Sequence, residues 1–411
     1  MPPPMTREEC LARDASDPLA SLRPQFVIPE GVIYLDGNSL GPPVRASATR
    51  AAALVTDEWG AHLIGGWERD GWIDSGARLG GRIAPLIGAR PDDVLVCDST
   101  TVNLFKLLHV GVALRPNRSV LLASDDDFPT DRYLVEAVAA QRGYTVRWAP
   151  PRNWHGATLK DVAVGVLSHV NFRTGLIADM GAITRALHDA GALALWDLSH
   201  SVGALPLDLG ACDVDMAVGC TYKFLCGGPG APAFAMVGAH LHAGVHTPIP
   251  GWLGHARPFA FAAQYEPAPG IGWAVTGTPT IASHVLLDAA LDVVGSVAVT
   301  ATRHKAMELG ALFVDIVEGE LPGVFTLHSP REPELRGNHV SLGHPDGFAI
   351  VQGLIARGVV GDFREPDVLR FGFAPLYLSY VDVHDAAIAL VDVMRTEEWR
   401  DPRFSRRGTV T

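Results

Sequence analysis

Two residues of this chain stand out for the chemistry they could do together. Asp197 closes the apolar run Ala194-Leu-Trp-Asp197 and is followed by Leu198-Ser-His200. Lys223 lies between Tyr222 and Phe224, ahead of the glycine run Gly227-Gly-Pro-Gly230. A carboxylate at the end of a buried strand and a partly desolvated lysine are what pyridoxal phosphate requires. The amine forms the Schiff base, and the acid keeps the pyridine nitrogen protonated so that the ring accepts electrons. Each residue also has a plainer reading, Asp197 as half of a structural salt bridge and Lys223 as a surface cation. In either reading a buried Asp197 needs a cation or donors.

Three more segments sit where such a site would need them. Ser99-Thr-Thr-Val-Asn-Leu-Phe105 follows an apolar run and opens a helix. Hydroxyls there cap free N–H groups, and those donors with the helix dipole also bind phosphate. Asp125-Asp-Asp-Phe-Pro-Thr-Asp131 follows the next run. Its Phe128 is able to stack on a flat ring, and Thr130 or Asp131 to cap the following helix while pointing into the same crevice. Asn171-Phe-Arg-Thr-Gly175 follows a third run. Alone, these read as an N-cap, a turn and a polar loop; at successive strand ends of a doubly wound sheet they converge.

The elements that must position them are legible from about residue 94. Val94–Cys97, Ser119–Ala123, Tyr144–Trp148, Val162–Leu167, Ala192–Trp196 and Asp215–Gly219 read as strands, mostly apolar throughout. That pattern suits a parallel sheet covered on both faces. Helical patterns at Asn103–Leu114, Thr130–Arg142 and Met180–Ala190 alternate with them, an α/β doubly wound layout. Residues 240–280, rich in Gly, Pro, His and aromatics, predict a long functional loop region. A long helix is expected over Ile281–Glu320. Strands near Val324–Leu327, His339–Leu342, Val359–Gly361 and Val368–Phe371 follow, with helices at Phe348–Arg357 and Val383–Arg395. The expected organisation is an N-terminal arm and helix packing with the small domain over 1–60. A large cofactor-binding domain spans 61–280 and a smaller α/β domain spans 281–411.

Composition narrows the function. The 411 residues are 48% hydrophobic and 19% charged, which predicts a substantial core rather than disorder. A net charge of −12 without a basic run argues against a nucleic-acid partner. The five cysteines are scattered without a CxxC, so reduced thiols and no metal site are expected. The polar N-terminus lacks a signal-peptide core, and no run approaches the ~18 apolar residues of a membrane span. The reading is a cytoplasmic protein without a membrane partner.

With these residues assembled, the chain resembles the kynureninase family of pyridoxal-phosphate enzymes, of the aspartate-aminotransferase fold (fold type I). The likeness runs from Tyr34-Leu-Asp-Gly-Asn-Ser-Leu-Gly41 to Arg370-Phe-Gly-Phe-Ala-Pro-Leu-Tyr377. It includes Thr101-Val-Asn-Leu104, Asp127-Phe-Pro-Thr-Asp131, Trp196-Asp-Leu-Ser-His200, Tyr222-Lys-Phe224 and Gly251-Trp-Leu-Gly-His255. The resemblance implies Lys223, Tyr222 and Asp197 as catalytic residues and pyridoxal 5′-phosphate as cofactor. Thr100, Thr101, Phe128, Pro129, Thr130, Asp131, Thr174, His200, Trp252 and Thr278 join them in holding the cofactor. It further implies Ser39, Trp67 and Arg370 for the substrate, with Arg370 on its carboxylate, and a homodimer in which Trp252 and Thr278 reach across the interface. Some relatives carry Asn where Thr278 stands.

The implied reaction is hydrolytic cleavage of the Cβ–Cγ bond of L-kynurenine to anthranilate and L-alanine, in tryptophan degradation. The 3-hydroxy substrate is expected to be used more weakly, because Trp67 and Gly277-Thr278 offer an apolar lining. Two alternatives share the cofactor: a cysteine-desulfurase-like lyase, and a non-catalytic cofactor-binding regulator.

Overall fold

The computed structural model describes residues 4–243 and 245–407. In chain order its strands are β1 (Ile33–Tyr34), β2 (Val94–Val96), β3 (Val120–Ala123), β4 (Thr145–Trp148), β5 (Val162–Ser168), β6 (Leu193–Asp197) and β7 (Met216–Gly219). They continue with β8 (Phe234–Val237), β9 (Thr326–Leu327), β10 (His339–Gly343), β11 (Val359–Val360), β12 (Asp362–Arg364) and β13 (Val368–Gly372). Seven of them form one sheet in the order β2-β8-β7-β6-β5-β3-β4. All run parallel except β8, which is antiparallel to both neighbours. Every residue of β2, β3, β6, β7 and β8 is buried, as expected of strands covered on both faces.

The helices lie close against this sheet. A Cβ on Gly165 of β5 would stand 2.7 Å from Leu187, on the helix Met180–Asp189. A Cβ on Gly111, in the helix Thr100–Leu114, would stand 2.7 Å from Val164. A larger residue at either site would push a helix off the sheet, and with it the loop that the helix fixes at the strand ends.

A second, antiparallel sheet, β12-β13-β10-β9, lies in the C-terminal part, and β1 pairs parallel with β11 beside it. The N-terminal helix Arg7–Ala15 docks on the helix Tyr380–Arg395. Arg7 pairs there with Asp385 (2.9 Å), and Asp14 accepts from the N–H groups of Tyr380 (2.7 Å) and Val381 (2.9 Å). The helix Ala46–Ala53 instead packs on Ile281–Val294.

The expected single helix over Ile281–Glu320 is two helices, Ile281–Val294 and Val299–Glu320, meeting at 80°. Gly295 caps the first, and both halves bury apolar residues, so hydropathy alone carried no sign of the bend. No single described helix is long and apolar enough to cross a membrane.

Candidate active site

Five parallel strands aim their carboxyl ends at one cavity of about 110 Å³. The segment after β2 contributes Thr100 and Thr101, and the segment after β3 contributes Phe128, Thr130 and Asp131. Ser168, Val170 and Phe172 come from the end of β5; Asp197, Ser199 and His200 from β6; Tyr222 and Lys223 follow β7. Ligands of open α/β sheets bind at this edge because successive βα loops converge there.

The hydroxyl turn is built as a helix start. Ser99 accepts the N–H of Val102 (3.3 Å), which sets Thr100 and Thr101 at the head of the helix Thr100–Leu114. A helix N-terminus with free N–H groups and hydroxyls beside it suits a phosphate. Behind the turn, Lys106 is fully buried and pairs with Asp98 (2.7 Å), and the hydroxyl of Thr276 donates to the same Asp98 (2.7 Å). Lys106 also donates to the Ala274 carbonyl. This clamp ties the turn to the segment that carries Thr278. Thr278 lines a second cavity of about 430 Å³ that shares Thr100, Thr101 and Tyr222 with the first. The clamp went unread in the sequence because Asp98 and Ala274 are far apart along the chain.

The chain holds four lysines, Lys106, Lys160, Lys223 and Lys305. Lys106 is committed to Asp98, Lys305 is buried on Asp17 (2.6 Å), and Lys160 is exposed. Lys223 lines the cavity, and its Nζ lies 6.0 Å from the Phe128 ring centre and 5.9 Å from that of Tyr222. Among the described residues it has no ion-pair partner.

Beneath it, carboxyls crowd together. Asp197 is buried and accepts the Ser199 N–H (2.7 Å). Burial and then the charges of Asp197 and Asp127 hold the carboxyl of Asp131 well above the usual range, against a smaller opposing pull from Lys223. Burial likewise pushes Asp127 up to about 7, although Ser168 donates its N–H to both carboxylate oxygens (3.3 Å each). Burial, with Lys223 and His339 adding to it, keeps His200 neutral, and its Nδ1 is buried without a partner. Tyr222 is pushed well above an ordinary phenol, mainly by burial, so it stays protonated.

Phe128 presents an exposed ring at the mouth, edge-on to Phe172 at 5.3 Å. Pro129 follows as the first residue of its helix. Asp131 does not cap that helix as expected; it points inward to Ser168 (3.4 Å).

Thr174, Trp252 and Trp67 are among the expected residues that line neither cavity. Thr174 bonds within its own loop, to Asn171 (3.1 Å). Trp252 is 45% exposed and packs edge-on against Phe259 at 5.8 Å. Trp67 sits in a small cluster with Trp72, Leu54, Val285 and Ile281. Ser39 and Arg370 meet each other (3.1 Å), and Arg370 reaches the cavity wall through the Phe172 carbonyl (2.6 Å). Sequence reasoning missed Ser168, Phe172, Asp127 and Asp362. Ser168 ends its strand one residue past the expected Leu167, and Phe172 lies in the loop that the sequence had placed at that strand end.

Residues 302–390 match the family described as the kynureninase C-terminal domain. The kynureninase of Pseudomonas fluorescens is 46% identical over 414 residues, covering 99% of this chain and 100% of that protein. The chain belongs to the kynureninase family. A Burkholderia mallei kynureninase (strain SAVP1) matches equally, at 46% over 99% of this chain. Among solved structures, the apo cysteine desulfurase of Thermococcus onnurineus NA1 superposes with a TM-score of 0.76 at 14% identity, covering 92% of this chain and 98% of that one. A C-DES variant with glycine covalently linked to the PLP cofactor gives 0.77 at 18%, covering 90% and 99%. At such identities the likeness is one of fold, the type I arrangement of a mostly parallel sheet and a smaller C-terminal sheet. Kynureninases thus share this architecture with enzymes of other chemistry.

Proposed function

We infer that the chain hydrolyses L-kynurenine to anthranilate and L-alanine, using pyridoxal 5′-phosphate in the Lys223 cavity. The observation that carries the site is the one lysine that lines this cavity, without an ionic partner among the described residues, standing over buried acids at the strand ends of a kynureninase-family chain. The residues suit the cofactor: a hydroxyl-bearing helix start for the phosphate, an aromatic face in Phe128, and acids that lack a cation for the ring nitrogen.

Lys223 would carry the cofactor, Asp197 would face the pyridine nitrogen with Asp131 and His200 beside it, and Phe128 would cover the ring. Thr100, Thr101 and Thr130 complete the frame, with Pro129 opening the helix behind Phe128. When bound, the cofactor supplies an electron sink for bonds at the substrate α- and β-carbons. The Lys223 amine would move the proton at the substrate Cα. Tyr222, held protonated, donates at the γ-carbonyl oxygen while water adds to that carbon. The Cβ–Cγ bond then breaks, anthranilate leaves as the carboxylate, and Cβ takes a proton to give alanine. Ser39 and Arg370 hold the α-carboxylate.

The site is proposed to be completed in a homodimer by Trp252 of the partner subunit and Thr278 of the partner subunit. The exposed aromatics Trp252, Phe259 and Phe261 give each copy an apolar face for that contact. A cytoplasmic setting agrees with the free cysteines.

The desulfurase reading is disfavoured by the thiols. No cysteine lines the cavity of about 110 Å³ at Lys223, and burial pushes Cys97 and Cys220 up and Cys226 to about 12. Such groups are poor nucleophiles. Fluorescence of released anthranilate tests the function: release from L-kynurenine supports it, and desulfuration of cysteine without that release would reject it.

Trp67, with the donor-poor Gly277-Thr278 pair, favours L-kynurenine over its 3-hydroxy form. A buried hydroxyl without a partner costs about 1–3 kcal/mol, so the preference is about ten-fold or more, at ~1.4 kcal/mol per decade. Equal kcat/KM for the two substrates would remove Trp67 from this role.

A further inference from the structure

Arg370 is already heavily committed. It is 2% exposed, and its Nε donates to Asp362 Oδ1 (2.8 Å) while Nη2 donates to Asp362 Oδ2. Nη2 also reaches the Ser39 hydroxyl (3.1 Å), and Nη1 the Phe172 carbonyl (2.6 Å). Asp362 therefore occupies one whole edge of the guanidinium, the edge formed by Nε and Nη2. The other edge, formed by Nη1 and Nη2, faces Ser39 and Phe172, and Phe172 lines the cavity.

The sheet dictates this edge. Asp362 and Arg370 are cross-strand partners of the antiparallel pair β12–β13. Arg364, two residues on, falls on the same face as Asp362, and its Nη2 bonds Asp362 Oδ2 at 2.7 Å. Ser39 joins all three: its hydroxyl donates to Asp362 Oδ2 (2.6 Å) and accepts from Arg370 and from Arg364 (3.3 Å). With Asp36 protonated, as it is below about pH 7, the cluster holds two cations and one anion. Arg364 is the exposed member, at 36%, against 1% for Asp362.

We propose that Asp362 and Arg364 are positioning residues for the substrate carboxylate: Asp362 fixes which edge of Arg370 is presented, and Arg364 holds the charge of Asp362 so that Arg370 can serve a second carboxylate. This rests on the kynurenine reading of the site given above. Two carboxylates on one buried guanidinium repel each other in a medium of low dielectric. A second guanidinium makes two anions and two cations, and the bound state is neutral. A monocarboxylate is the ligand that such a cluster balances.

The test uses the holoenzyme and three variants, Arg364→Gln, Asp362→Asn and the double. KM and kcat for L-kynurenine are measured, with the dissociation constant of L-alanine, a ligand that carries only the amino acid end of the substrate. Cofactor titration and thermal stability accompany them. Arg364→Gln is expected to raise KM and the alanine constant about ten-fold, with kcat changed by no more than a few-fold and cofactor affinity unchanged. Asp362→Asn is expected to weaken alanine as well, because the edge is no longer fixed. The double variant should bind alanine more tightly than Arg364→Gln alone, since removing Asp362 restores the charge balance.

Tighter alanine binding in Asp362→Asn would overturn the proposal, because Asp362 would then be a competitor for Arg370 rather than its support. A double variant as weak as the two losses multiplied would overturn it too, leaving a structural role. Since Arg364 is partly exposed, its variant reads the charge effect even where Asp362→Asn fails to fold: an unchanged alanine constant there would also reject the proposal. Failure of the wild-type protein to release anthranilate would strike the functional reading instead, and is told apart by that control.

Discussion

Asp131, which lines the Lys223 cavity, and Asp362, which lies behind Arg370, are both buried aspartates, and they stand in opposite electrostatic positions. Asp362 lies between two guanidiniums and a hydroxyl, and it is held at about 2; burial alone would raise it, but Arg370 and Arg364 prevail. Asp131 shares its ground with Asp197 and Asp127, and is pushed well above the ordinary range. One region sets two cations on a single acid, and the other gathers three acids against only a minor pull from Lys223. A buried acid cluster without compensation is costly, and the structure retains it where strand ends, hydroxyls and a free lysine converge. The contrast separates two proposed tasks: the acid floor suits a positively charged ring, and the arginine cluster suits a second carboxylate beside Asp362.

The comparison predicts its own breaking points. The largest effect belongs to Lys223→Ala, which should abolish anthranilate release by a factor of at least about 10²–10⁴, the usual worth of an acid–base group. Pyridoxal phosphate should still bind, because the hydroxyl turn and the acids remain; loss of all cofactor binding would show that the floor does not hold it unaided. Next, Asp197→Asn should cost more activity than Asp131→Asn, with the Asp131 carboxyl falling toward its ordinary range once its neighbour's charge is gone. Measured kcat for the two variants decides this, and equal losses would merge the two acids into one role.

A smaller effect comes from Asp36, which the Asp36-Gly-Asn-Ser39 turn sets beside the arginine cluster. Burial and then Asp362 push its carboxyl up to about 7, opposed by Ser39, Arg370 and Arg364. Below pH 7 it is protonated and neutral; above, its charge opposes the substrate carboxylate. KM for L-kynurenine should therefore rise a few-fold as pH increases through about 7, and Asp36→Asn should flatten that rise. The same shift makes the folded chain bind a proton that the unfolded chain has lost between about pH 4 and 7, so Asp36 contributes stability that fades as pH rises through this window.

The cofactor half of the site was more legible in the sequence than the substrate half. Asp197, Lys223 and the Ser99–Thr101 turn each follow an apolar strand, and a strand end in a doubly wound sheet fixes where its next residues go. Asp362 carries no such local mark. Its role arises from register with Arg370 across an antiparallel pair, which no run of residues announces. The same reason hid β8, four residues in a stretch without a helix before it and antiparallel to a sheet otherwise read as parallel. The bend at Gly295 escaped because both halves are apolar on several sides, so no change of periodicity marks it. Trp67 was placed by resemblance alone, and it packs on Trp72 and does not line the Lys223 cavity.

Only four lysines are present, and one of them must hold the cofactor. Borohydride reduction of the holoenzyme followed by peptide mapping reads this directly. The prediction is one pyridoxyl group per chain, on Lys223, with Lys106 and Lys305 unlabelled in their ion pairs and Lys160 unlabelled on the surface. A label on any lysine other than Lys223 would contradict the account, because the acid floor would then belong to a cavity that does not hold the reacting amine.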